Sequence, residues 1–364
     1  MTVKTIAITA LLGSACAAQA GGIDRSGQSI QALFESGRYA EFSLGSVSPD
    51  TSGTAVAGLG GFGSGDMTSS FLQLGAAYKA DINDRLSYAI IYDQPFGADV
   101  DYPTGTGYFA AGSMADLDAH AVTGLMRYKF ENNFSVHGGI RVQSIEATAA
   151  VPFVGGYAVE GDRDVGVGYV IGGAYERPDI ALRVALTYNS GIKHDVQTSE
   201  SFGGPATTTN TEIETPQSVN LDFQTGIAQD TLLFGGIRWA EWSEFDITPV
   251  GYQGATGGSL VSYDNDVFTY SLGVGRRLND NWSVSASVGY EKSNGGFASN
   301  LGPTDGFKSL ALAAVYTKDN MKVTTGIRYI NIGDAQTAIP GFAPASNFQD
   351  NHAVAIGVKV GYTF

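Results

Sequence analysis

A chain of 364 residues with 43% hydrophobic content has ample material for one large domain or two ordinary ones, yet only 16% of it is charged. Its 49 glycines, 18 tyrosines and 19 phenylalanines favour strands over helices, and 21 basic against 36 acidic residues leave a net charge of −15. So acidic a chain excludes nucleic-acid binding, because nothing would offset the phosphate charge.

The first twenty residues, MTVKTIAITALLGSACAAQA, read as a secretory leader: Lys4, an apolar run from Ile6 to Leu12, then small residues up to Ala18-Gln19-Ala20. Cleavage after Ala20 removes Cys16, the only cysteine, as suits an exported chain without disulfides, and takes the net charge to −16. A lipoprotein site at Cys16 is the rival reading, but Gly13 stands where such a site wants a branched apolar residue. No window approaches the roughly 18 to 20 apolar residues of a membrane helix, so a membrane location requires strands.

Residues 21–37 form a short N-terminal segment before the first alternating run. About fourteen such runs follow, near 38–48, 69–80, 86–93, 119–129, 134–146, 164–175, 181–191, 216–228, 231–245, 266–277, 282–292, 307–316, 321–332 and 351–364. Each has about the 9 to 11 residues of a tilted membrane strand. Between them, tight polar turns (DINDR, ENN, RPD, QD, NDN, KDN) alternate with longer connections rich in Gly, Pro, Thr and acids, such as SESFGGPATTTNTE.

The alternation is clean. Trp282, Val284, Ala286, Val288 and Tyr290 share one face, with Ser283, Ser285, Ser287, Gly289 and Glu291 on the other. Tyr and Trp gather at run ends, among them Tyr78, Tyr88, Tyr128, Tyr175, Tyr188, Trp239, Trp242, Trp282, Tyr316, Tyr329 and Tyr362. Hydrocarbon cannot satisfy exposed backbone groups, so strands in a bilayer must pair on both sides and close. The expectation for 38–364 is an all-β transmembrane antiparallel barrel of about 14 strands, with a β-sandwich as the alternative. The last run alternates to the end, so Lys359 faces the lumen and Phe364 resembles the terminal signal recognised by barrel-assembly machinery.

Within strands the basic residues fall mostly on the polar face, and Arg127, Arg141, Arg183, Arg238 and Arg328 are the candidates for holding an anionic head group in the lumen. The competing reading is a solvated wall whose charges pair with inward acids such as Asp222 and Glu291. His120, His137, His194 and His352 stand singly, with no nucleophile motif or metal-ligand spacing, so no catalytic residue, metal or cofactor is expected. GGFGSG at 60–65 joins two strands and opens no helix, which argues against a phosphate loop and for an exterior connection.

Several stretches, in order, resemble the long-chain fatty acid outer-membrane transporter (FadL-like, OmpP1, TodX) family. They are VSPDTSG (47–53), QPFGADVDY (94–102), MADLDAHAVTGLMRYKF (114–130), LRVALTYNSGIKHDVQ (182–197), ETPQSVNLDF (214–223) and WSEFD (242–246). The resemblance implies a monomeric fourteen-stranded barrel in the outer membrane, beside lipopolysaccharide, its lumen closed by an N-terminal hatch. Hydrophobic substrates, long-chain fatty acids among them, would enter by the exterior loops and leave sideways near a kinked third strand. Pro95, Phe96 and Gly97 stand at that kink, since Pro cannot donate to a ladder and Gly relaxes it; the alternative is an ordinary loop start.

Two departures qualify that expectation. Residues 21–37 are shorter than the family's usual hatch, and Ala147 stands after Ile145-Glu146 where well-known members carry a ligand-binding Arg. The second leaves neutral hydrophobic compounds open as cargo. The expected activity is passive uptake of hydrophobic small molecules, with a general-diffusion porin or a structural or adhesive barrel as alternatives.

Overall fold

A computed structural model describes residues 23–364; the expected leader, residues 1–20, lies outside the described residues. Fourteen antiparallel strands form the wall: β1 (Tyr39–Asp50), β2 (Phe71–Asp81), β3 (Leu86–Asp93, resuming at Gly97–Asp101), β4 (Met114–Lys129), β5 (Phe134–Val151), β6 (Tyr157–Arg177) and β7 (Leu182–Asn189, continuing as Ile192–Phe202). The rest are β8 (Thr207–Thr215, continuing as Ser218–Ala228), β9 (Thr231–Ala240), β10 (Val267–Arg277), β11 (Trp282–Glu291), β12 (Phe307–Lys318), β13 (Met321–Ile332) and β14 (His352–Thr363). β1 pairs β14 from Tyr39↔Thr363 to Asp50↔His352, so the sheet closes on itself.

Every second residue faces out. On β5, Phe134, Val136, Ile140 and Val142 are 44–60% exposed, while the alternating Ser135, His137, Arg141 and Gln143 are at most 3% exposed. That is the reverse of a soluble core and is what a lipid-facing wall requires. On β14, Val354, Ile356, Val358, Val360 and Tyr362 face out, and Lys359 points in to an ion pair with Glu41 at 3.2 Å.

The tight turns share one end of the barrel. Three of them put Asn133, Asp230 and Asp319 at φ of 68°, 57° and 51°, the left-handed conformation that Asn and Asp tolerate best after Gly. Aromatic pairs ring the same end: Tyr78–Tyr88, Phe134–Tyr175, Trp282–Tyr316 and Tyr362–Phe364 lie 4.8–6.2 Å apart. A second ring toward the other end includes Tyr169–Tyr188 and Tyr270–Tyr290.

Two expectations are corrected at the loop end. The stretch 199–212, expected as a loop, is mostly strand: β7 and β8 run on past a kink and pair with each other from Ile192↔Thr215 to Glu200↔Thr207. Alternating Val196, Thr198 and Thr211, Ile213 supply β-branched side chains to its buried face, so the hairpin holds without lipid. Trp242, expected in the aromatic girdle, lies beyond the end of β9 and is 1% exposed, packed under the loops against Phe96 and Phe245. A short helix α1 (Val250–Thr256) belongs to this cap.

Candidate functional site

The third strand is interrupted at 94–96. Between the pairs Asp93↔Ala121 and Gly97↔Asp118, β3 advances four residues while β4 advances three, so one residue bulges out of the ladder. Pro95 has no N–H to give that ladder, and its carbonyl accepts instead from Arg25 N at 2.8 Å and Ser26 N at 3.4 Å. Gly97 N donates to Ile23 O at 3.0 Å.

On its other flank the interruption opens the wall. β2 pairs β3 only from Ala76↔Tyr92 to Asp81↔Ser87, and contact resumes at Ser69 N with Asp99 O and Asp101 N with Met67 O. Residues 70–75, at the start of β2, therefore face 94–98, at the interruption of β3, across a seam with no ladder, ~20 Å long at ~3.3 Å per residue. The Gln94 amide partly mends it, its Oε1 accepting from Leu74 N at 2.6 Å.

Residues 23–36 run inside the barrel. Ile30, Ala32 and Leu33, at most 4% exposed, pack on the inward Ala77, Ala89, Ile91, Leu125 and Val170. Phe34 sits under two guanidinium groups, Arg127 at 4.6 Å and Arg183 at 4.7 Å from its ring centre. Arg183 also donates to Gln31, and Arg238 Nε reaches Asp24 at 2.6 Å while its Nη1 donates to Gln28 Oε1 and Ser218 Oγ.

Of the five candidate arginines, then, Arg127, Arg183 and Arg238 grip the N-terminal segment. Arg141, 3% exposed, donates to Thr123 Oγ1 at 2.8 Å. Arg328 donates to Ser309 Oγ at 2.9 Å and lies 5.2 Å from the Phe307 ring centre. Arg183, Arg238 and Arg328 share a cavity of about 180 Å³ with the acids Asp24, Asp222 and Glu291 and the rings of Phe234 and Phe307. The predicted Pro95, Phe96 and Gly97 all sit at the interruption.

Above the seam lies a second, apolar chamber of about 50 Å³. Ile23 forms its floor, with Ala98 of β3, Leu117 of β4, Ala147 and Ala149 of β5, Val159 of β6, Val196 of β7 and Ile213 of β8 around it. Phe245, Ile247, Leu260, Val261, Tyr263 and Leu301 roof it. Among the described residues its lining holds no Lys or Arg, and its one acidic residue, Asp116, is exposed and alternates with the buried Leu117. Burial pushes the Tyr263 phenol up from its ordinary value, so the roof presents a neutral hydroxyl. Phe96, 1% exposed and edge-on to Trp242 at 5.7 Å, joins the chamber to the seam.

Sequence reasoning did not single out these chamber residues. Their only signal was the aliphatic alternation Val196/Thr198 and Thr211/Ile213, and the WSEFD stretch that supplies Phe245. Glu200 fixes part of the roof, accepting from Gly251 N at 3.0 Å and Tyr252 N at 3.1 Å in the first turn of α1.

Comparison with known proteins agrees with this fold. In structure the chain is similar to a FadL homologue of Pseudomonas aeruginosa (13% identity, TM-score 0.74, 92% of each chain covered). It is also similar to the Pseudomonas putida toluene transporter TodX (12%, 0.65, 95% of this chain and 96% of that one) and the Ralstonia pickettii toluene transporter TbuX (12%, 0.64, 92% and 91%). At these identities the likeness speaks for the fold alone. No curated protein sequence matches. The family profile described as outer membrane protein transport protein (OMPP1/FadL/TodX) matches residues 47–364. A closed fourteen-stranded wall with a lipid-facing exterior, matched by that profile along most of its length, makes this chain a member of the OMPP1/FadL/TodX outer-membrane transport family.

Proposed function

We propose that the chain admits small, uncharged hydrophobic molecules through the loop cap into the apolar chamber and releases them sideways into the bilayer at the β2–β3 seam. The observation that carries this reading is the chamber's lining: aliphatic and aromatic side chains with three threonines and, among the described residues, no cation, directly above a break in the wall. Lipopolysaccharide impedes apolar solutes, and a lateral exit spares them the aqueous periplasm. With no Lys or Arg among the described lining residues, a carboxylate ligand would find no counter-ion in the chamber's lining.

Long-chain fatty acids are the second reading, favoured by the cavity that Arg183, Arg238 and Arg328 share, where a carboxylate would find donors and a tail would find Phe234 and Phe307. An open porin is disfavoured by the packing of residues 30–34 in the lumen, and we regard those residues as a compact hatch. We take the working unit to be a monomer, assembled into the membrane through its C-terminal Phe364.

Calorimetric titration of the purified protein with toluene and with oleate tests the assignment. Toluene is expected to bind, and Ile213→Lys to abolish that binding while leaving any oleate binding intact. Oleate binding alone, insensitive to Ile213→Lys, would transfer the function to the arginine cavity.

A further inference from the structure

On the outer wall a hollow of about 1030 Å³ crosses seven strands, from Val274 and Arg276 on β10, through β11–β14, to Leu44 on β1 and Leu72 on β2. Its origin lies on the inner side. Gly45, Gly357, Gly326, Ala313, Ser285 and Gly275 pair in a row across β1, β14, β13, β12, β11 and β10. They alternate with the outward Leu44, Ile356, Ile327, Leu312 and Val284, 37–56% exposed, so the row faces the lumen. Nothing longer than a serine props the sheet from within along that row, and the small Ala286 and Ala314 deepen the hollow from outside. Its size stands at the top of the ~300–1,000 Å³ range of pockets that take a drug-sized ligand.

Among the described lining residues Arg276 is the one charge. It is exposed and lies at the tight-turn end, where its Nη1 donates to Oγ1 of Thr231 on β9 at 2.8 Å, and Thr231 donates to Gln229 O at 3.1 Å. These bonds hold the guanidinium at the rim of the hollow. Val284, its partner on β11, is one outward position above Trp282 of the aromatic girdle, which puts Arg276 at the edge of the headgroup layer. Among the described residues no carboxylate pairs with it. The adjacent Arg277 pairs with Asp230 at 2.5 Å, and at other turns of this end Arg85 pairs with Glu131 and Arg177 with Asp179.

We propose that Arg276 and this hollow hold one anionic glycerophospholipid of the periplasmic leaflet, its phosphate on the guanidinium and an acyl chain over Val274, Ala286, Leu312 and Ile327. Depth and charge select that occupant. Tight turns mark the periplasmic end of such barrels, and glycerophospholipid, not lipopolysaccharide, fills the leaflet there. A guanidinium fork takes two phosphate oxygens at once, whereas a zwitterionic head brings its own cation to the same place. A second copy of the chain fits less well, because two hollows facing across a twofold axis bring no carboxylate to either arginine. The site is independent of what the lumen carries.

Native mass spectrometry of the purified full chain, titrated with phosphatidylglycerol or with phosphatidylcholine of the same acyl chains, tests the proposal. One phosphatidylglycerol is expected per barrel, bound at least tenfold more tightly than phosphatidylcholine. Arg276→Gln is expected to make the two lipids equal, and Arg276→Lys to keep part of the preference, since lysine offers a point charge in place of the fork. Ala314→Trp fills the hollow while leaving the arginine, and is expected to weaken both lipids. A ligand that binds only the folded barrel stabilises it, so phosphatidylglycerol is also expected to raise the thermal midpoint of the wild-type chain and not that of Arg276→Gln. Heat-modifiable gel migration checks that each variant is folded. Equal binding of the two lipids by the wild-type chain, or an undiminished preference in folded Arg276→Gln, overturns the site. Phosphatidylglycerol binding untouched by Ala314→Trp overturns the part assigned to the hollow. A lipid-free dimer that Ala314→Trp dissociates would overturn the lipid in favour of a contact between copies.

Discussion

Substitution of two neighbouring residues on β5 tests the barrel reading through opposite signs. Ile140 is 60% exposed and Arg141 3% exposed. The apolar outward face of β5 runs from Phe134 to about Ser144, beyond which Glu146 faces out to an ion pair with Arg163 at 2.9 Å. Ten steps of ~3.4 Å make ~34 Å along the strand, and a tilt of ~40° reduces this to ~26 Å, close to the ~25 Å apolar band of such barrels. Position 140 is six steps up, ~16 Å, and so ~3 Å past the midplane. A cation there costs about 2–4 kcal/mol at the midplane and somewhat less on either side, so Ile140→Arg is expected to lose about 2–3 kcal/mol. Arg141→Met removes a buried guanidinium whose Nη1 finds no hydrogen-bond partner among the described residues, at the expense of one bond to Thr123. Exchange of an under-compensated buried charge for a hydrophobe is expected to lie between a loss of about 1 kcal/mol and a gain. Equilibrium denaturant titration in lipid vesicles measures both. Equal losses at the two positions, or a loss below about 0.5 kcal/mol for Ile140→Arg, would refute the assigned faces.

Three further outcomes follow from the interior. Leu33→Ala, at a side chain with 0% exposure, is expected to cost about 2–5 kcal/mol of docking for the N-terminal segment and to turn a near-silent planar bilayer into one with steady current. Ile213→Lys places a cation in the chamber and is expected to weaken toluene binding at least tenfold, about 1.4 kcal/mol, in a calorimetric titration. Glu200→Gln keeps the shape of the acceptor but loses its charge toward Gly251 N and Tyr252 N; at about 1–2 kcal/mol, limited proteolysis within 250–263 is expected to quicken roughly tenfold.

The wall was legible because lipid imposes one rule on every strand: positions such as Val284, Val288, Ile356 and Val358 must be apolar, whatever they pair with. Beyond the membrane that rule lapses. Residues 192–215 pair as well as any other part of the sheet, but their outward face is Lys193, Asp195, Gln197 and Glu212, which in sequence is the composition of a loop. Trp242 was misassigned for a related reason, since an aromatic residue just past a strand end looks alike whether it meets headgroups or the underside of a cap. The arginines were legible in direction and illegible in partner. Arg183 and Gln31 are 152 positions apart, Arg238 and Asp24 are 214 apart, and no local pattern joins them.

Uptake by cells addresses the central claim most directly. Radiolabelled toluene is supplied to an outer-membrane host with low background permeability, with and without the chain, at equal surface abundance. The account predicts energy-independent entry several-fold above background, reduced to background by Ile213→Lys. Entry equal to background with the wild-type chain, or entry untouched by a charge in the chamber, would contradict it.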